Sequence, residues 1–171
     1  MKNLCVVAVM AIFSFIGVNA QGTDFGATAG FISGNEKFKS GGESLSASES
    51  GFYVGIIAEI DVTEEFKIQP ELLYAKVGEI SFLQLPIIAK YYVSEKFNLL
   101  AGPQITYTLE NEVGDDVTKL NLGLGLGLGY DFTEKLFVQS RYAFQLNDYY
   151  TGNEDLSSKI GFLNIGLGYR F

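Results

Sequence analysis

From Lys119 to Phe132 the chain reads KLNLGLGLGLGYDF, with a large apolar side chain at every second position and almost nothing between. A period of two belongs to a β-strand, whose successive side chains point to opposite faces. A helix cannot use it, because each glycine costs about 1 kcal/mol relative to alanine in a helix interior. The stretch therefore has one face of Leu120, Leu122, Leu124, Leu126, Leu128, Tyr130 and Phe132. The other holds Asn121, Gly123, Gly125, Gly127, Gly129 and Asp131. A phosphate-binding glycine loop is excluded, since no GxGxxG spacing occurs here.

The same alternation recurs along the chain. DFGATAGFIS, GFYVGIIAEID, FKIQPELLYAK, ISFLQLPIIAKYYV, FNLLAGPQITYTL, LFVQSRYAFQL and KIGFLNIGLGYRF each keep their apolar residues in phase. With the leucine–glycine stretch they make eight segments, each near the roughly 9–11 residues that span a bilayer when tilted. The connectors VTEE, SEK and TEK are short. GNEKFKSGGESLSASES and NDYYTGNEDLSS read as long loops, ENEVGDD is intermediate, and VGE breaks the rule by being short. Short turns at one end and longer loops at the other suit an up-and-down transmembrane barrel.

A soluble lipocalin-like barrel binding an apolar ligand would alternate too. The second face separates the readings. Here it carries glycine, glutamine, asparagine and threonine, with most charge kept in turns and loops. An eight-stranded interior also has little room for so many Leu, Ile, Phe and Tyr side chains. The sequence therefore predicts an all-β, eight-stranded antiparallel up-and-down transmembrane β-barrel, with the apolar face in lipid. Aromatics mark both ends of that face. Phe66, Tyr91, Tyr92, Phe97, Tyr130, Phe132, Tyr169 and Phe171 stand at the short-turn end. Phe31, Phe52, Tyr74, Tyr107, Phe144 and Tyr149 stand at the loop end. Such bands are the girdles expected at two membrane interfaces.

Residues 1–20 read as a separate object. Lys2, the apolar run LCVVAVMAIFSFIGV and the small-residue site VNA form an export signal, with cleavage expected after Ala20 and a barrel domain over 21–171. Cys5, the single cysteine, stands at the start of the apolar run and leaves with it. The whole chain has a formal charge of −8, which loss of Lys2 makes more negative. An acidic exported protein is not a nucleic-acid binder. Histidine is absent, which removes the usual general base and the commonest metal ligand. No catalytic residue, metal or cofactor is expected.

The final strand, FLNIGLGYRF, ends on Phe171 with Tyr169, Leu167 and Ile165 at alternate positions before it. It resembles the C-terminal signal that outer-membrane barrels present to their assembly machinery. With QPELLY, LPIIAKYY and LLAGPQ, the chain resembles the outer-membrane β-barrel domain family that includes PorT-like proteins, and OmpA-like barrels share its architecture. The resemblance implies residence in the outer membrane of a Gram-negative bacterium. Outer-membrane lipid and the barrel assembly machinery are its expected partners, with Tyr169 and Phe171 as the assembly signal. It implies no activity.

The inward face carries Glu59, Lys67, Glu71, Lys90, Arg141 and Arg170. Glu71, Lys90 and Arg141 stand at similar distances from their short turns, with Glu71 and Lys90 on neighbouring strands. Opposite charges in a narrow lumen must pair. Glu71, Lys90 and Arg141, with Gln69 and Gln104, form the expected polar network, a structural plug. A narrow solute channel is the alternative role. Asp115, Asp116, Glu154 and Asp155 make the loops acidic, but two carboxylates without an oxygen cage are weak evidence for calcium. Pro70, Pro86 and Pro103 fall inside proposed strands of a barrel that has no edge, so bulges or ends of pairing are expected there.

Overall fold

The computed structural model describes residues 22–40, 43–110, 118–147 and 156–171. The export segment, Tyr149, Asp115, Asp116, Glu154 and Asp155 lie outside them. Eight strands run in chain order: β1 (Thr23–Ser40), β2 (Glu43–Asp61), β3 (Phe66–Val77), β4 (Ile80–Tyr92), β5 (Phe97–Thr108), β6 (Leu120–Asp131), β7 (Leu136–Gln145) and β8 (Leu156–Arg170). Each pairs antiparallel with the next. β8 pairs with β1, from Gly26 opposite Arg170 to Ser40 opposite Leu156, so the barrel closes.

Three turns at one end are built alike. In VTEEF, VSEKF and FTEKL the residue before the hydroxyl-bearing one donates its amide to the carbonyl four residues on: Val62 to Phe66, Val93 to Phe97 and Phe132 to Leu136, at 2.9–3.0 Å. The Thr63, Ser94 and Thr133 hydroxyls then accept from the amides of Phe66, Phe97 and Leu136. Serine and threonine suit this position because their oxygens satisfy turn amides locally. At the opposite end β3 and β4 join through Gly78, whose φ of 56° favours glycine.

The alternation sorts every strand into two faces. In β6 Leu120, Leu122, Leu124, Leu126, Leu128 and Tyr130 are exposed, while the asparagine and glycines between them are buried or half-buried. In β5 Leu99, Ile105 and Tyr107 point outward, and Asn98, Leu100, Gln104, Thr106 and Thr108 are buried inside. A predominantly apolar exterior fits lipid and excludes the soluble lipocalin-like arrangement.

Three sequence expectations need correction. Tyr92 does not belong to the turn-end girdle. Period two places it opposite Tyr91, and its hydroxyl lies in the lumen on Asp131. Much of the region after Ser33 is strand, not loop: β1 and β2 stay paired from Ser33 opposite Ser50 up to Ser40 opposite Glu43. The prolines produce neither bulges nor strand ends. Pairing of β3 with β4 skips from Pro70–Ile87 to Leu73–Gln84, and that of β4 with β5 from Pro86–Gln104 to Ala89–Ala101. Each gap skips two residues on both strands, so register is kept and pairing is lost only locally.

Leu126, opposite Ala101 and Tyr142 in mid-strand, tests the exterior. Leu126→Arg is expected to lower stability by about 2–4 kcal/mol if near the midplane, read by denaturation from lipid vesicles. Lipid-soluble probes should label Leu126→Cys and leave Gly127→Cys untouched.

Candidate functional site

Among the described residues the barrel interior gathers the buried charge, and it does so in layers. Nearest the short turns, β2, β4, β6 and β8 contribute Glu59, Lys90, Asp131 and Arg170. The Lys90 ammonium donates to Glu59 Oε1 at 2.6 Å and stands 3.7 Å from Asp131 Oδ1. Arg170 bonds Glu59 through Nε, and its Nη2 reaches Glu59 Oε1 at 3.1 Å and Asp131 at 3.2 Å. Its Nη1 donates to the Glu134 carbonyl in the third short turn at 2.8 Å. Tyr92 donates to Asp131 Oδ2 at 2.6 Å. Both cations stand over the Phe137 ring, Lys90 Nζ at 5.0 Å and Arg170 Cζ at 4.5 Å from its centroid. Below this layer a mouth of about 1090 Å³ opens among the short turns, with Lys67, Tyr92, Asp131 and Arg170 on its wall.

The next layer comes from β3 and β7, on opposite sides of the barrel. Arg141 binds Glu71 with both terminal nitrogens, each at 2.8 Å. Gln69 and Gln139 exchange amide hydrogen bonds at 3.2 and 3.1 Å, and Gln69 also donates to Glu71 at 2.7 Å. Bidentate geometry and a third donor are what a desolvated carboxylate needs. Gly125 of β6 makes room for this pair: a Cβ there would stand 3.1 Å from Arg141 Cδ. Gly129 likewise accommodates Asn98, and Gly168 accommodates Phe137. The glycine face of the leucine–glycine strand is thus a recess for side chains from its neighbours.

Toward the loop end the interior turns apolar. Ile32, Tyr53, Leu73, Ala75, Val77, Phe82, Ala143 and Phe162 form one buried cluster. Phe82 of β4 meets Phe162 of β8 across the bore, with ring centroids 5.2 Å apart. Asn164 donates to Gln84 along the same line at 3.3 Å. The lumen is therefore part polar and part apolar, a correction to the wholly polar filling expected from the sequence.

Of the expected network, Glu71, Arg141 and Gln69 are together. Lys90 is fully buried but belongs to the other layer, with Glu59. The ladder explains the choice. Lys90 is level with Lys67, and Lys67 with Asp61. Glu59 lies two residues from that level and Glu71 four, or about 14 Å at the rise of a strand. Gln104 stands apart from both, bonded to Thr106 at 3.2 Å. Lys67 pairs with Asp61 at 2.9 Å near the mouth. Asp131 was absent from the expected inward charges, although its parity in the leucine–glycine strand placed it on that face. Tyr169 and Phe171 point outward, their ring centroids 6.4 Å apart. Among the described residues no group of three or more acidic, cysteine or histidine side chains is arranged to hold a metal.

Glu71→Gln should therefore be costly, because it strands Arg141 in the lumen. The expected loss is about 3–5 kcal/mol, less where water reaches the site, measured by chemical denaturation in micelles. Adding Arg141→Met should restore most of it. Gly125→Ala should be accepted after a small shift of the Arg141 stem, whereas Gly125→Phe should displace Arg141 and lower stability.

The family model described as outer membrane protein beta-barrel domain matches residues 5–171. No curated protein matches the sequence. Among solved structures, the attachment invasion locus protein Ail of Yersinia pestis is similar at 16% identity, covering 88% of this chain and 100% of Ail, with a TM-score of 0.52. Neisserial surface protein A is similar at 14% identity, over 88% of this chain and 100% of that one, with a TM-score of 0.51. Ail has also been solved in complex with the heparin analogue sucrose octasulfate. These likenesses concern the fold.

Proposed function

The chain belongs to the outer membrane protein β-barrel domain family, and on that premise we propose that its barrel is sealed and acts through the strands and loops it holds outside the cell. It is a small integral protein of the outer membrane, in contact with lipid over its apolar exterior. In such barrels the short turns are periplasmic and the longer connections extracellular.

The observation that carries the sealed reading is the Glu71–Arg141 pair with its Gln69–Gln139 companion, which ties β3 to β7 across the bore. Phe82 against Phe162 and the Glu59, Lys90, Asp131 and Arg170 layer support it from either side. Three carboxylates meet three cations in the lumen, so no net charge is left to draw an ion through. The lumen is a polar and apolar plug, and the protein's work lies in structure or surface contact rather than transport or catalysis. In planar bilayers the purified protein should show no steady conductance. Stable open channels would favour the narrow-porin reading and overturn this one.

Residues 1–20 serve in the same reading as the export signal, removed after Ala20, and β8 delivers the barrel to the assembly machinery. The outward, highly exposed Phe171 (73%) and Tyr169 support that role, since both rings are available from the lipid side. Phe171→Ser should reduce the heat-modifiable barrel recovered in the outer membrane and leave signal cleavage unchanged. Undiminished assembly of the variant would remove the case for Phe171 as an assembly signal.

A further inference from the structure

β2 outlasts one of its two neighbours. Its pairing with β3 ends at Gly51 opposite Val77, where β3 turns tightly through Gly78 into β4. β1 continues beside β2 for the whole of Glu43–Ser50, and β8 continues beside β1 to Leu156. The result is a three-stranded sheet rising beyond the barrel, with the upper part of β2 as an edge unpaired among the described residues. That edge is about 27 Å long at 3.4 Å per residue.

The direction of its free hydrogen-bonding groups is fixed by the ladder. Ser50 accepts the Gly78 amide at 3.2 Å, so its polar groups face β3. Glu49, one residue on, instead turns its carbonyl to the Ser33 hydroxyl of β1. By alternation Ser48, Ser46 and Ser44 point their amides and carbonyls to the open side. Among the described residues no hydrogen bond reaches the backbone of Ser46 or Ser48 from that side. Natural sheets block such edges with proline, lysine or a bulge. The segment ESLSASES has no proline and no lysine, and its register with β1 runs without a break.

We infer that the Glu43–Ser50 edge of β2 is a docking site for an extended, basic segment of a partner polypeptide outside the cell, which adds to the sheet as a further strand. Backbone pairing supplies the affinity and small serine and alanine side chains leave the edge accessible. The charge on the edge strand itself sets the sign of the partner. Glu43 and Glu49 lie on the segment and Glu79 in the turn beside it, while the cations Lys37 and Lys39 lie one strand further from the docked chain, on β1. A second copy of the same edge is disfavoured, because it would bring the glutamates of both copies onto one ladder. The β8 edge is a poorer candidate, since the Gln145 side chain already accepts the Ile160 amide. The inference rests on the sealed-barrel reading, which places the protein's contacts at this end.

The test uses the whole mature protein in micelles and three octapeptides. One alternates threonine and lysine, one is the same peptide methylated on alternate backbone nitrogens, and one alternates threonine and glutamate. The threonine–lysine peptide should bind about tenfold more tightly than the methylated one, as loss of one or two ladder hydrogen bonds implies, and more tightly than the threonine–glutamate one, whose charge repels the edge. It should slow hydrogen exchange at the Ser46 and Ser48 amides and leave Ala47, already facing β1, unchanged. Ser46→Pro removes an outward amide without touching the β1 ladder and should weaken binding by a similar factor. Ser46→Ala should bind normally. Absence of binding, equal binding of the methylated peptide, or self-association that Ser46→Pro abolishes would each overturn the inference. None of these results would alter the absence of conductance, so the sealed barrel stands or falls separately.

Discussion

Hydrocarbon offers a backbone no hydrogen bonds, and a strand that crosses it must find a partner on both sides. The pairing of β8 with β1 is what meets that demand here, since without it two of the eight strands would present open ladders to lipid. Much of the rest follows from closure. Once the sheet is a cylinder, each strand has an inside and an outside, and the period of two becomes a rule about solvent. Outward residues such as Leu126, Ile105 and Tyr107 face lipid. What remains must fill a space too narrow for all of its side chains to be large.

The interior solves that filling problem by strand parity. Even-numbered strands supply the layer near the short turns, Glu59, Lys90, Asp131 and Arg170. β3 and β7 supply the next, Glu71 with Arg141 and Gln69 with Gln139. Tilted strands stagger their residues, so inward side chains of alternate strands come level with each other and stack. Small residues of β6 such as Gly125 and Gly129 leave the space that long side chains of its neighbours occupy. The glycines and the buried ions are two halves of one packing arrangement.

The exterior and the closure were legible in the sequence because both depend on period two, which a single strand displays by itself. Tyr92 shows how firm that rule is: grouped with Tyr91 by composition, it follows its parity into the lumen. The interior was less legible, because partners there lie far apart in the chain. Nothing local says that Lys90 meets Glu59 rather than Glu71. That choice depends on the offsets of two successive ladders, which the strands set together. The apolar cluster was hidden for a related reason. Ile32, Leu73, Phe82 and Phe162 sit at second-face positions whose depth, and hence whose neighbours, only the stagger defines. The extension of β1 and β2 was missed because serine, glycine and lysine read as loop when pairing is unseen. Main-chain bonds to β8 on one side and to each other hold them as strands.

The distribution of charge over the even strands bears on the order in which the barrel can be completed. Glu59, Lys90 and Asp131 arrive on β2, β4 and β6, while Arg170 arrives on the last strand, 111 residues after Glu59. A seven-stranded open sheet would therefore hold two carboxylates against one ammonium at its short-turn rim. Insertion of β8 joins the ladder and cancels that surplus in the same movement. The seam then is both a mechanical and an electrostatic event, and water has reason to leave the lumen only after the final strand is in place.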